Sequence, residues 1–292
     1  MRYAIKHSTR FSYMFPVRFA RCNVRLKPID WDGQSVETHE LAIEPPAIQS
    51  IGRDNGYPVN VIRLLVEKPA TELLIESRAH VLVDRIAPMP LDTDVSVAEA
   101  GRLARETYDL GPSAPANYLF PSPLIAAFPD IAAWCAAELR PERGVVEAGL
   151  ALARAIQANF QYDGSATQLD TSPAEAFAKR HGVCQDFAQI MISGARSAGL
   201  AAAYVSGYLR TIPPPGEERL IGADATHAWV LIWCGPERGW IGFDPTNGVT
   251  MGGDHIVTAI GRDYGDVAPI DGIFLGQDGQ EIEVAVDVEA LG

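Results

Sequence analysis

The chain of 292 residues is long enough to bury a full hydrophobic core and to form one large or two modest domains. Its formal net charge of -13 opposes binding to a phosphate backbone, and no basic run offsets that charge locally, so nucleic acid is excluded as an expected partner. Apolar residues make up 47% of the chain and charged residues 21%, which is typical of a soluble globular protein.

The sequence predicts neither a targeting segment nor a membrane span. The first ten residues carry charge without the apolar centre of a signal peptide, and no later stretch approaches the roughly 20 apolar residues that a membrane helix needs. The four cysteines, Cys22, Cys135, Cys184 and Cys234, are far apart and lack CxxC spacing. We therefore expect a cytoplasmic protein with reduced thiols and no membrane partner.

The first part of the chain, from Arg2 to about Ile86, has the pattern of β-strands. It contains alternating or β-branched runs, separated by clusters of Pro, Gly and Asp, at Arg18–Leu26, Val59–Val66 and Leu73–Val83. AspAsnGly at 54–56 is a turn signal. We predict a small antiparallel β-domain over residues 1–90, which ends in the proline-containing stretch at 87–92.

The middle of the chain is rich in Ala, Leu and Glu and predicts a layer of helices. Helices are expected at Val95–Glu106, Ile131–Leu139, Val145–Phe160, Ala174–Arg180 and Cys184–Ala198. In the third of these, Leu152, Ile156 and Phe160 recur every four residues, as one buried helix face requires. Before the fourth, residues 171–172 supply an N-cap and Pro173 takes the first helical position.

After Gly199 the pattern returns to strands. Strands are expected at Ala201–Arg210, Thr226–Trp233, Trp240–Asp244 and Glu281–Val288. A polar, proline-rich excursion at 211–219 separates the first two. The predicted fold class is α+β, in which residues 91–292 form a second domain with helices first and an antiparallel sheet after them.

The segment GlyValCysGlnAspPheAla at 182–188 places Cys184 in the first turn of a helix. Backbone N–H groups without helical partners and the positive end of the helix dipole favour the thiolate, which is the nucleophilic form of the side chain. The same N–H groups can stabilise a tetrahedral oxyanion. The alternative is a buried structural cysteine, which suits the other three cysteines better. Asp186, in the same turn, is expected to cap the helix or to anchor the loop.

Two strand-like runs joined by CysGlyProGluArgGly have the composition of a β-hairpin. If Trp233 faces Trp240 across the turn, His227 and Asp244 lie diagonally on one face of neighbouring strands. The carboxylate can then accept one imidazole N–H and direct the other nitrogen at the thiol. Each residue alone has a structural alternative, a core histidine and a turn-opening aspartate. Together with Cys184 they favour catalysis.

GlyValCys at 182–184, HisAlaTrp at 227–229 and AspProThr at 244–246 follow one another in an order that closely resembles the transglutaminase-like superfamily. The chain also resembles bacterial members that carry an N-terminal β-domain, because the segment at 261–269 is similar to one that follows the triad in that group. The resemblance implies a papain-like fold and a catalytic triad formed by the cysteine, histidine and aspartate of these three motifs.

Further polar residues are candidates for contact with substrate. Gln185 follows the nucleophile and could make a polar contact. Tyr162 resembles an aromatic residue that packs over the site in relatives and helps an oxyanion, although a core or rim tyrosine is the more favoured reading. Asp263, Tyr264 and Asp266 line the cleft or belong to a surface loop held by Asx turns, and the sequence leaves both alternatives open.

No metal and no cofactor are expected, because the sequence has no HxH, CxxC or EF-hand pattern. His255 lacks ligand spacing and is interpreted as a packing or surface residue. The implied reaction is acyl transfer through a thioester on a peptide or protein substrate, and the resemblance favours a peptidase or amidase. A protein-glutamine transglutaminase or amine acyltransferase is the alternative, and a non-catalytic binding scaffold is a rival of another class. The oligomeric state stays open.

Overall fold

A computed structural model of the chain describes residues 1–52, 56–163, 171–211, 225–276 and 279–291. The predicted turn at 54–56 and the proline-rich segment at 211–219 lie largely outside these residues. The helices are α1 Val97–Glu106, α2 Pro129–Cys135, α3 Val145–Asn159, α4 Pro173–Lys179, α5 Cys184–Ser197 and α6 Tyr264–Val267. None of the helices in the described ranges is both long enough and apolar enough to cross a bilayer.

The strands begin and end as follows: β1 Arg2–Val17, β2 Phe19–Val24, β3 Gln34–Glu44, β4 Ile48–Ile51, β5 Ile62–Val66, β6 Ala70–Val83, β7 Gln161–Tyr162, β8 His181–Gly182, β9 Ala202–Leu209, β10 Ala225–Trp233, β11 Trp240–Asp244, β12 Val249–Thr250, β13 His255–Gly261, β14 Ile270–Leu275 and β15 Gln280–Ala290. In the part of the chain that the structure describes they form three antiparallel sheets, ordered β15-β1-β6-β3, β14-β2-β5-β4 and β12-β11-β10-β9-β13, and one parallel pair, β7 with β8. The predicted α+β class, with a β-rich N-terminal region, is confirmed.

The last two strands return to the N-terminal sheets. β14 pairs with β2, and β15 pairs with β1 over its whole length. The strand expected at 281–288 is confirmed, but its expected place in the same sheet as β10 and β11 is wrong. A free β1 edge would expose a row of unpaired backbone groups, which β15 covers. The division into residues 1–90 and 91–292 stays a prediction.

The central sheet, ordered β12-β11-β10-β9-β13, is covered on both faces. Helix α5 packs on β9 and β10, and the predicted face of α3, with Leu152 and Ile156, is buried against it. On the other face, Trp229, Leu231 and Val257 belong to a second apolar cluster. Because a strand buried on both faces has no alternating pattern, β13 was not predicted, although its sequence is rich in β-branched residues.

Gly207 in β9 leaves the space that the Trp229 ring occupies. A Cβ atom at position 207 would lie 2.4 Å from the Cη2 atom of Trp229 and 2.2 Å from the carbonyl oxygen of Ile256. Trp229 has no exposed surface, and its Nε1–H donates to the sulfur of Met251 at 3.1 Å. The missing side chain at position 207 therefore leaves room for the indole ring against β9.

We predict that Gly207→Ala lowers the free energy of unfolding by about 1–3 kcal/mol or more, since the new methyl group must displace backbone or an aromatic ring. Chemical denaturation with the circular dichroism signal as readout measures this. Gly253→Ala is the matched control, because its Cβ would meet only the Arg85 carbonyl oxygen at 3.5 Å. Equal losses in the two variants would show that the indole does not need the space.

Candidate active site

The first turn of α5 presents the side chain of Cys184, which is partly exposed. The backbone N–H of Val183 donates to Oδ2 of Asp186 at 2.9 Å, so the expected capping role of Asp186 is confirmed. A Cβ atom at Gly182 would lie 2.7 Å from that same oxygen. Glycine at 182 is thus required for the carboxylate to reach the helix start, and the two residues fix the position of the thiol.

Arg180 anchors the turn that enters this helix. Its backbone adopts φ of 59°, a left-handed conformation that is strained for a side chain with a Cβ. The guanidinium lies 4.1 Å from the ring centroid of Phe177, 4.7 Å from that of Phe160 and 5.2 Å from that of Trp134. Cation–π attraction to three rings offsets the backbone strain and holds the segment just before Cys184. This anchoring role of Arg180 was not predicted.

The hairpin of β10 and β11 has the predicted register. Trp233 lies opposite Trp240, and the pairing continues to Val230 opposite Phe243. In this register, the side chains of His227 and Asp244 are diagonal neighbours on one face of the hairpin. The Nε2 atom of His227 lies 2.8 Å from Oδ2 of Asp244. The side chain of His227 is 9% exposed and that of Asp244 has no exposed surface.

The carboxylate of Asp244 accepts hydrogen bonds from several directions. Its Oδ1 atom accepts the backbone N–H groups of Thr246 at 2.9 Å and Asn247 at 3.2 Å. Its Oδ2 atom is bonded to Nδ2 of Asn247 at 2.6 Å, to Nε2 of His227 at 2.8 Å and to Nε2 of His255 at 3.2 Å. The turn after β11 and two histidines therefore fix both the position and the plane of this carboxylate.

These contacts shift the pKa values of the buried pair, Asp244 and His227, in opposite directions. Burial raises the pKa of Asp244, but the hydrogen bonds from His227, His255 and Asn247 outweigh it and hold the pKa well below its ordinary range. Burial likewise lowers the pKa of His227, but hydrogen bonds to Asp244 and Cys184, with their charges, outweigh it and hold that pKa well above its ordinary value. The pair favours an imidazolium beside a carboxylate.

The same contacts bring the three predicted triad residues together. The imidazole of His227 lies close enough to Cys184 for the thiol to contribute to the raised pKa of the ring. Because Nε2 is engaged by Asp244, Nδ1 is the ring nitrogen that faces the sulfur. Cys184, His227 and Asp244 thus lie near one another between the start of α5 and the end of β11, with a 2.8 Å hydrogen bond between the last two.

Tyr162 lies on the rim of this site. It pairs with Gly182 between β7 and β8, its ring is 6.3 Å from that of Phe187, and its side chain is 57% exposed. Partial burial and the nearby charge of Cys184 raise the pKa of its phenol. Gln185, by contrast, is largely buried at 8% exposure. Contact of either side chain with substrate or an oxyanion stays a prediction.

Tyr204 of β9 was not predicted as a neighbour of the nucleophile. It is 2% exposed, and burial followed by the charge of Cys184 raises the pKa of its phenol well above the ordinary value. Its ring centroid lies 6.3 Å from that of Tyr264. The apolar sequence of β9 gave no sign that Tyr204 lies near the nucleophile, since a tyrosine in a buried strand is usually a core residue.

Asp263 and Asp266 hold the loop around α6. Oδ1 of Asp263 accepts the backbone N–H of Gly265 at 2.9 Å and Oδ2 accepts that of Leu124 at 3.0 Å. Oδ2 of Asp266 accepts the backbone N–H of Arg262 at 3.0 Å. Of the two alternatives that the sequence left open, loop anchoring is the one supported by these hydrogen bonds.

The structure corrects the interpretation of His255 as an ordinary packing or surface histidine. It begins β13, is 5% exposed and bonds to the triad carboxylate. The run HisIleValThrAlaIle at 255–260 is a signal that could have placed it on a buried strand. Its contact with Asp244 was not predictable, because it depends on which strand β13 pairs with.

His227, Asp244 and His255 bring three ligand-type atoms within 4.8 Å of one another. A divalent metal would need an unprotonated nitrogen from each histidine. The Nδ1 atom of His255 accepts the backbone N–H of Gly252 at 3.3 Å, so its Nε2 atom carries the proton and points it at Asp244. The cluster suits a network bridged by protons better than a metal.

Comparison with known proteins places the chain in a family. Residues 133–245 match the family model described as the transglutaminase-like superfamily, and residues 3–82 match the bacterial transglutaminase-like N-terminal region. An uncharacterised protein of Mycobacterium tuberculosis is 37% identical to this chain. The alignment of 306 positions covers 98% of this chain and 92% of that protein. The chain belongs to the transglutaminase-like superfamily.

Two further known proteins are similar to this transglutaminase-like protein, one in structure and one over a short stretch of sequence. The structure of a candidate cysteine protease from Cytophaga hutchinsonii has a TM-score of 0.73 at 20% identity and covers 100% of this chain and 91% of that one, so the two share a fold. A protein-glutamine gamma-glutamyltransferase of Pseudomonas aeruginosa is 39% identical over 71 residues, 24% of this chain and 10% of that enzyme.

We predict that the imidazole of His227 remains protonated well above the ordinary histidine pKa of about 6.5, because Asp244 and Cys184 stabilise its positive charge. A titration of its ring proton by NMR measures this directly. A raised pKa means that the charged form persists as the pH rises. In Asp244→Asn the inflection should fall back toward about 6.5. An inflection at or below that value in the wild-type protein would contradict the assignment of the pair.

Proposed function

We propose that this protein is a cysteine-nucleophile enzyme that cleaves amide or peptide bonds through a thioester on Cys184. The observation that carries the proposal is the 2.8 Å hydrogen bond between Nε2 of His227 and Asp244, which leaves the other imidazole nitrogen for the thiol at the start of α5. Nucleophile, base and orienting carboxylate are the groups that acyl transfer through a covalent intermediate needs.

In the acylation step the sulfur of Cys184 attacks the carbonyl carbon of the substrate, and the carbonyl π electrons move to oxygen. N–H groups of the first turn of α5 and the helix dipole would stabilise that negative charge. The imidazolium of His227 gives its proton to the amide nitrogen, the C–N bond breaks and the amine leaves. A thioester and a neutral imidazole remain.

In the deacylation step water attacks the thioester and His227 takes up its proton. Asp244 stabilises the imidazolium as it forms and keeps the ring in place. The C–S bond breaks, the acid is released, and the Cys184 thiolate returns beside the charged His227. An amine in place of water would give an amide instead, so the same triad supports hydrolysis and amine transfer.

Hydrolysis is the outcome that we favour for a peptide or protein substrate. Cys184 is partly exposed and Tyr162 on the rim is 57% exposed, so water has access to a thioester on this sulfur. All four cysteines are free thiols, which supports a reducing compartment such as the cytoplasm. Amine transfer is the second candidate, and the segment similar to a protein-glutamine gamma-glutamyltransferase supports it.

A competing hypothesis is that the protein is a scaffold, which binds a partner without catalysis. A buried carboxylate and a buried imidazole, each hydrogen-bonded on several sides, are costly to place in a core. A scaffold has no need to align them with a partly exposed thiol. The alignment therefore supports an enzyme over a scaffold.

We predict that Cys184→Ala and His227→Ala each lower kcat/KM by about 10³-fold or more, because each removes a group that takes part in bond making or proton transfer. The assay presents a library of peptides and simple amides, with and without an added primary amine, and identifies the products by mass spectrometry. Cleavage without amine incorporation supports a peptidase or amidase. Incorporation of the amine supports a transglutaminase.

Cys22→Ala is the matched control for this assay. Burial, with a smaller contribution from Asp271, raises the pKa of the Cys22 thiol to about 11, so this second partly buried cysteine is unreactive at neutral pH. Its substitution should leave turnover unchanged. The proposal fails if turnover is absent from the folded wild-type protein or persists in Cys184→Ala.

A further inference from the structure

The triad carboxylate is shared by two histidines that approach it from different strands. His227 lies on β10 and His255 on β13, with β9 between them. Both Nε2 atoms bond to Oδ2 of Asp244, at 2.8 Å and 3.2 Å. We propose that His255 is a positioning residue that holds the Asp244 carboxylate toward His227 and thereby controls the reactivity of Cys184. This inference rests on the proposed function.

The direction of the hydrogen bond from His255 follows from its second contact. Its Nδ1 atom accepts the backbone N–H of Gly252 at 3.3 Å, so that nitrogen has no proton of its own. The proton therefore sits on Nε2 and is donated to Oδ2 of Asp244. His255 is a neutral donor whose tautomer is fixed by the backbone. It orients the carboxylate without adding a second positive charge beside His227.

Packing fixes the orientation of the His255 ring. The indole of Trp229 packs beside both histidines, with its centroid 5.2 Å from the ring of His255 at an interplanar angle of 75° and 6.0 Å from that of His227 at 29°. His255 is 5% exposed, so its ring has no room to turn toward solvent. The space left by Gly207 is what allows the indole to hold this position.

Loss of the donor would act on the nucleophile through the carboxylate. Oδ2 would then be held by Asn247 and His227 alone. A carboxylate that has lost one of its donors orients the imidazole less firmly, so the charged form of His227 would be less stabilised beside the thiol. In such a variant His227 would lose its proton at a lower pH than in the wild-type protein, and Cys184 would lose the neighbouring positive charge that favours its thiolate.

Few other charges lie near the pair in the described residues. The titratable groups that interact with His227 are Asp244, His255 and Cys184. Beside His255, Nη1 of Arg85 donates to its backbone carbonyl at 3.1 Å, and Asp254 is paired with Arg210 at 3.3 Å. These outer charges contact each other or the backbone, and the pH dependence of Cys184 alkylation should therefore follow His227 and Asp244.

The test measures alkylation of Cys184 by iodoacetamide at several pH values, with the modified residue identified by mass spectrometry. In His255→Leu, alkylation at pH 6 should be slower than in the wild-type protein by about 10-fold or more, while the rates converge at pH 10, where any accessible thiol ionises. His255→Gln, whose amide N–H can reach the place of Nε2, should restore at least half of the wild-type rate. With a cleaved substrate in hand, kcat should fall in His255→Leu while KM stays the same.

Two further variants keep the test decisive if His255→Leu does not fold. His255→Asn has a shorter amide that cannot reach Oδ2 of Asp244, so it should react as slowly as the leucine variant. His7→Leu removes another buried histidine, 1% exposed and bonded to Tyr208 and Thr9, and should leave alkylation at pH 6 unchanged. Thermal melting identifies any variant that has lost its structure.

The outcomes separate this inference from the proposed function. If His227→Ala does not change the pH dependence of Cys184 alkylation, the proposed function fails. If His227→Ala and Asp244→Asn slow alkylation at pH 6 but folded His255→Leu and His255→Asn do not, only the role of His255 is overturned. Equal slowing in His255→Gln, His255→Asn and His7→Leu would also overturn it, because the effect would then be a general loss of structure.

Discussion

The geometry of the candidate site depends on the buried carboxylate of Asp244. Asp244 has no exposed surface, and an unpaired charge in that position would cost several kcal/mol. Its stability depends on hydrogen bonds from the turn after β11, from His227 on β10 and from His255 on β13. The strands and the turn must therefore be in register before the charge is tolerated, and the contacts that satisfy the charge also align the imidazole with Cys184.

The order of the central sheet explains how these groups meet. β9 lies between β10, which carries His227, and β13, which carries His255. Gly207 of β9 has no side chain that would separate the two imidazole rings. The Trp229 indole fills that space and contacts both imidazole rings. On the helical side, Asp186 and Gly182 fix the first turn of α5, which holds the thiol. The site is thus assembled from strand pairing on one side and helix capping on the other.

Local patterns predicted much of this arrangement. Helix starts were expected within two residues of their observed positions, because caps, Pro and periodicity are local signals. The hairpin register followed from Trp233 and Trp240 at the turn, and it placed His227 diagonal to Asp244. The pairing of β15 with β1, and of β13 with β9, joins segments distant in sequence. The role of His255 depends on such a pairing and had no local signal.

In the proposed function, Asp244 acts through His227 to make Cys184 an acyl acceptor. The most direct measurement is the single-turnover rate at which p-nitrophenyl acetate acylates Cys184, with the acyl group located by mass spectrometry. Asp244→Asn preserves the size of the side chain while removing its charge. We expect acylation at Cys184 to be about 10²- to 10⁴-fold slower in this variant than in the wild-type protein. Equal rates in the two folded proteins, or acylation at another cysteine, would contradict it.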